Sequence, residues 1–210
     1  MKPPRALLSA LARQLGRPSG PVGRLLIARM LNKGNRPMVT PTVDALELRH
    51  GDVGADIGFG GGVALELLLD RVGPAGRVIG VDLSPSMVDR AVARFSKETR
   101  LSVYQGSITE LPLGEATIDG VSSTNTIYFV DDLDRAFAEV ARVLTPGGRF
   151  ALGIGDPDLM RKMPVTQHGF RIRPVDEVLA ALAAGGLTVK DHRKVGKAER
   201  FFHLIMSRRG

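Results

Sequence analysis

Along the chain from Val53, short apolar runs alternate with stretches of helical periodicity, and this rhythm predicts a parallel sheet covered on both faces. The runs place strands at Val53–Ile57, Arg77–Asp82, Leu101–Gln105, Ile118–Ser123 and Arg149–Gly153. Leu65, Leu68 and Leu69 mark a helix near Gly62 to Val72. Ser84-Pro85 supplies the N-cap and first position of another, running to about Lys97. Leu133, Phe137, Val140 and Leu144 share one face of a helix starting at Asp131 or Asp132, and Thr145-Pro146-Gly147-Gly148 ends it. Asp156 to Arg173 reads as a loop, and a helix near Val175 to Ala184 is closed by Gly185-Gly186. Leu187–Val195 and Phe201–Arg208 read as strands joined by the polar turn Gly196-Lys197-Ala198. A parallel crossover needs a dozen or more residues, so these two form an antiparallel hairpin at the sheet edge. The expected fold is a doubly wound, mostly parallel, seven-stranded α/β sheet.

The first 45 residues differ. Leu7, Leu8, Leu11 and Leu15 recur at helical spacing, as do Val22, Leu25, Leu26 and Met30, with a break at Gly16 to Pro21. A loop is expected around Lys33 to Pro41, then a short helix from Pro41 to Leu48. Residues 1–49 hold nine basic side chains against two acidic ones, so they carry the whole formal charge of +7. A basic helical extension or lid over residues 1–45 and a main domain over 46–210 follow. Such an arm suits nucleic acid, an anionic membrane surface or an acidic substrate, or is simply a solvated face. It lacks aromatic residues for base stacking, which argues against nucleic acid.

Composition narrows the chemistry. Without cysteine, thiolate nucleophiles, disulfides and cysteine zinc sites are excluded. His50, His168, His192 and His203 are scattered without metal-ligand spacing, so no metal is expected. No apolar run is long enough to span a bilayer and no apolar export signal opens the chain, which makes the cytoplasm the expected location.

The most telling pattern is V-G-A-D-I-G-F-G-G-G at Val53 to Gly62, followed by V-I-G-V-D at Val78 to Asp82. An acid, Asp56, ends the first strand and a glycine-dense turn follows, where the backbone can press against a ligand. A second acid, Asp82, ends the next strand, where a carboxylate can accept both hydroxyls of a ribose. An adenosine-containing cofactor is implied.

With V-D-L-S-P-S-M at Val81 to Met87, G-S-I-T-E-L-P-L at Gly106 to Leu113, S-T-N-T-I-Y-F at Ser123 to Phe129 and R-V-L-T-P-G-G-R-F at Arg142 to Phe150, the chain resembles the class I S-adenosylmethionine (SAM)-dependent methyltransferases. Its style is similar to the small-molecule group that includes the ubiquinone and menaquinone C-methyltransferases. The resemblance covers roughly Pro41 to Arg208 and implies a Rossmann-like fold with SAM as cofactor. It implies that Asp56 orients the methionyl amino group and that Gly58, Phe59, Gly60 and Gly62 shape the bed beneath the cofactor. Asp82 would hold the ribose, Leu83 and Met87 the adenine, Ser107 and Ile108 its amino edge, and Asn125 the amino-acid part. The family commonly has an acid where this chain has Ser107.

A nicotinamide enzyme would also use an acid at Asp82, but its fingerprint needs glycine where Val63 stands. A carboxylate at Asp56 would also repel a pyrophosphate, whereas it favours a cation. In-line methyl transfer needs alignment and water exclusion more than a base. Two residues are candidates for contact with the reacting groups: Tyr128 after the fourth strand, and His168 in the loop after the fifth. The expected acceptor is a small molecule, with an anionic group meeting Arg24, Arg29, Lys33 or Arg36. A nucleic-acid methyltransferase using the basic arm and a SAM-binding protein without catalysis are the alternatives.

Overall fold

The structure is a computed structural model that describes residues 36–196 and 202–210. Seven strands form one sheet: β1 (Val53–Ile57), β2 (Arg77–Asp82), β3 (Leu101–Gln105), β4 (Ile118–Thr124), β5 (Leu144–Gly155), β6 (Leu187–Val195) and β7 (Phe202–Arg209). Their order is β3-β2-β1-β4-β5-β7-β6. The first five run parallel, and β7 is antiparallel to both β5 and β6. Four strands, β1, β2, β3 and β6, have the bounds expected from the sequence.

Helices cover both faces: α1 (36–44), α2 (Val63–Val72), α3 (Pro85–Arg94), α4 (Leu133–Val143), α5 (Pro157–Lys162) and α6 (Val175–Ala184). On one face Val39, Val43 and Leu46 pack with Leu65 and Leu68 of α2 and Met87 and Ala91 of α3. On the other, Phe137 and Val140 of α4 and Leu182 of α6 meet Phe150 and Leu152 of β5. Alternation along β5 sends Phe150 and Leu152 to one side and Ala151 to the other, as a pleated strand requires.

Five expectations are corrected. The loop predicted at Lys33 to Pro41 is helical from residue 36, and the helix placed at Pro41 to Leu48 ends at residue 44. Pro37 lies in a first turn, where a missing N–H costs little. Thr42 Oγ1 donates to the Met38 carbonyl at 2.8 Å, so this buried hydroxyl is satisfied within the helix. The helix expected to reach Lys97 stops at Arg94, where the Phe95 N–H closes on Ala91. β5 starts five residues early, because Leu144 already pairs with Ile118 before Thr145–Gly148 bulges out. The Asp156–Arg173 loop contains α5 and a 3₁₀ turn at Pro164–Gln167. The paired helices expected within residues 1–30, and most of the turn after Gly196, lie outside the described residues. Among the described residues, no helix is long and apolar enough to cross a membrane.

Candidate active site

β2 and β3 lie to one side of β1, β4 and β5 to the other, so the chain reverses direction of winding at the β1/β4 boundary. A crevice opens there at the carboxyl ends of the strands. It is a cavity of about 700 Å³.

Asp56 stands near the end of β1, 5% exposed, with Oδ1 accepting the Ser122 hydroxyl at 2.6 Å. Burial pushes its carboxyl up to about 7; the Ser122 bond opposes that rise and the charge of Asp82 adds to it. Asp82 ends β2. Its Oδ1 accepts the Ser84 N–H at 2.9 Å and its Oδ2 the Gly60 N–H at 2.8 Å. Burial still holds it above the ordinary carboxylate value. Two carboxylates forced upward while facing one cavity are relieved by a guest that brings a cation and hydroxyl donors.

The glycine turn brings backbone to the cavity floor. Gly58 has φ +77°, and a Cβ there would stand 2.3 Å from Thr126 Oγ1, so no other residue fits. Its N–H donates to the Val81 carbonyl at 2.7 Å, tying β1's exit to β2. Gly60, also at positive φ, faces open space. Phe59, Leu83, Met87, Ser107, Ile108 and Asn125 all reach the cavity wall, as expected from the sequence. Ser107 Oγ pairs with Thr109 Oγ1 at 2.7 Å, and Arg135, which the sequence did not single out, donates Nε–H to the Thr109 carbonyl at 2.9 Å. Both help close that edge of the cavity.

Tyr128 lines the cavity, but its hydroxyl is committed. It donates to Asn125 Oδ1 at 3.2 Å and accepts the Gly155 N–H at 2.7 Å. Burial pushes the phenol far upward, so at neutral pH it can orient a guest but not take its proton. Two expected residues stand outside the wall. Gly62 instead caps α2 at φ +78°, beside Arg94, whose guanidinium donates to the Gly61 carbonyl at 2.9 Å. His168 ends the 3₁₀ turn with its N–H on Val165, and the turn presents Val165 and Thr166 to the cavity in its place.

The remaining wall was missed in the sequence. It includes Met38 and Val39 from α1, Phe129, and Met160, Met163 and Phe170 from the segment after β5. Phe170 packs against Phe129 and Tyr128 with ring centroids at 4.7 and 5.8 Å. Phe129 is 39% and Met163 47% exposed, an apolar rim. One signal was available: Asp156-Pro157 is a helix start, and the Asp156 side chain caps α5 by accepting the N–H groups of Asp158 and Leu159, both at 3.1 Å.

Residues 55–152 match the family described as a methyltransferase domain. The chain carries a class I SAM-dependent methyltransferase domain. Among its relatives are erythromycin 3''-O-methyltransferase of Saccharopolyspora erythraea, 35% identical over 59% of this chain and 41% of that one, and demethylmenaquinone methyltransferase of Symbiobacterium thermophilum, 33% identical over 61% and 51%. The chain thus matches about half the length of these curated relatives. A SAM-dependent methyltransferase from Aquifex aeolicus shares the fold across the whole of both chains, with a TM-score of 0.72 at 20% identity. The methyltransferase family match begins within β1 and ends within β5, so it contains both carboxylates and excludes α5 and the hairpin. The donor set fits SAM: an acid for an ammonium, an acid for a ribose, and apolar Leu83, Met87 and Ile108 for a flat base.

Proposed function

We propose that the domain moves a methyl group from SAM to a small acceptor whose body is apolar and whose polar end carries negative charge. The supporting observation is a single cavity with two strained carboxylates in one part and a wall of methionine and phenylalanine in the other. When bound, SAM supplies a methyl group already activated by its sulfonium.

The chain's own residues have simpler work. Asp56 meets the ammonium and Asp82 the ribose hydroxyls, while the glycine turn leaves room for the chain between them. Asn125, fixed by Tyr128, orients the amino-acid end. Met38, Met160, Met163 and Phe170 seat the acceptor and keep water out, which favours the in-line approach. Arg36 is exposed in the first turn of α1, the helix that brings Met38 and Val39 to the cavity, and is the described residue nearest to the basic arm. The expected contacts from Arg24, Arg29 and Lys33 fall outside the described residues.

The test is calorimetry with S-adenosylhomocysteine, followed by transfer of labelled methyl from SAM to a panel of amphiphilic phenols and quinols, sugars and RNA. Native protein should bind, Asp82→Ala should lose about 100-fold in affinity, and label should enter the amphiphiles. Label entering RNA alone, or no binding at all, overturns the proposal.

A further inference from the structure

Beyond the cavity, the hairpin carries a chain of titratable side chains that methyl transfer does not use. His203 on β7 is 4% exposed. Its Nε2 lies 3.1 Å from Asp156 Oδ2, and its Nδ1 lies 2.7 Å from His192 Nε2 on β6. The two rings stack with centroids 5.0 Å apart. Lys194, opposite His203 on β6, places Nζ 3.4 Å from the same carboxylate oxygen. Asp156 is the residue that caps α5 through its other oxygen. The hairpin is thus joined, through one carboxylate, to the first turn of the helix that brings Met160 to the cavity. That helix continues into the 3₁₀ turn, where Thr166 Oγ1 donates to the Met160 and Met163 carbonyls at 2.6 and 2.8 Å.

The protons on this chain can be counted. Burial works against the charge of Asp156, but the bonds from His203, Leu159 and Lys194 outweigh it and hold the carboxyl below its ordinary value. An ionised carboxylate only accepts, so His203 donates from Nε2. With both rings neutral, His203 Nδ1 accepts from His192 Nε2–H. With one extra proton, either ring is cationic and the other still offers a lone pair, so the contact survives. With a second, N–H faces N–H across 2.7 Å, and no tautomer restores the bond. Among the described residues, the facing charges are Asp156 from the start of α5, and Lys194, Asp191 and Arg193 from β6. Asp191 pairs with Arg193 at 3.4 Å. β5 presents only Ile154 opposite His203. Burial and the neighbouring His203 hold His192 below the ordinary imidazole value.

We propose that the His192–His203–Asp156 chain is a clasp that positions the apolar wall of the acceptor site, holding α5 while the two rings share at most one extra proton and releasing it at the second. His203 is its positioning residue. The role assigned to α5 rests on the function proposed above.

Hydrogen exchange of the full chain, corrected for intrinsic rates, reads the clasp through the amides of residues 158–163 and 165–167, with those of α4 as the internal reference. Between about pH 7 and about pH 5, native protein should lose about tenfold in protection at these amides but not over α4. His192→Leu removes the facing N–H and should keep its protection at both values. His203→Phe should have low protection at both. If native protection does not change with pH, or if His192→Leu loses as much as native protein, the clasp is refuted; this holds even where His203→Phe fails to fold. Calorimetry with S-adenosylhomocysteine at about pH 7 runs beside it. Failure there removes the proposed function and leaves the exchange result standing.

Discussion

Cofactor affinity should depend on pH, and Asp56 should contribute a resolvable share. Asp56 has its carboxyl pushed up to about 7 by burial, so near neutrality a large fraction of the free protein holds it protonated. A neutral acid gives an ammonium little, and binding must therefore expel the proton. The sign follows: below the raised value the acid is protonated and affinity is lost, while above it affinity is full. For a single group titrating at about 7, the apparent Kd is multiplied by about 11 at pH 6, about 2 at pH 7 and about 1.1 at pH 8. Affinity for S-adenosylhomocysteine should fall about tenfold from pH 8 to pH 6, or about 1.4 kcal/mol. Titrations in two buffers of different ionisation heat should also register about half a proton released per ligand at pH 7. Asp56→Asn keeps an acceptor for Ser122 but cannot titrate, so its affinity should be weak and its profile flatter. Ionisation of the ligand's own amine affects both proteins alike, so the difference between profiles belongs to Asp56 and its coupling to Asp82. Equal slopes in the two proteins, or tighter native binding at pH 6, would refute the reasoning.

Two further outcomes are expected. Gly58→Ala forces a Cβ to 2.3 Å from Thr126 Oγ1 at φ +77°; it should cost at least about 2 kcal/mol in a denaturant melt and abolish S-adenosylhomocysteine binding in any folded fraction. Deleting residues 1–30 should eliminate methyl transfer to an amphiphilic acceptor while leaving cofactor affinity within about threefold, as calorimetry would report; unchanged turnover would remove the acceptor role from this arm.

The parts of this molecule that were legible in the sequence are those where one local signal decided the conformation. Leu187–Val195 is bounded by Gly186 and Gly196, and Arg77–Asp82 opens after Gly76 and closes just before the helix start at Ser84-Pro85. Asp56, Gly58, Gly60 and Asp82 were legible because acid and glycine at strand ends have few other uses in a doubly wound sheet. α1 was obscured by Pro37 and Pro41, whose local cost is offset by tertiary burial of Val39, Val43 and Leu46. α5 is six residues long, too short for a periodicity to register, and the turn that follows it decided against His168. Tyr128 lies where it was expected, yet its hydroxyl belongs to Asn125 and Gly155, a pairing between elements that no local pattern encodes. The partnership of His192 with His203 and Asp156 was equally hidden, since it joins three separate stretches of chain.

The boundary between the shared core and its flanks has an evolutionary consequence. The region that matches the family ends at residue 152, whereas Met38, Val39 and the segment from Met160 to Phe170 enter the cavity from outside it. Mutations can accumulate in those outer stretches without disturbing Asp56, Asp82 or the turn between them. One donor-handling unit can thus be retained through repeated changes of customer, and transplanting residues 156–170 between such domains is the natural engineering route to new products.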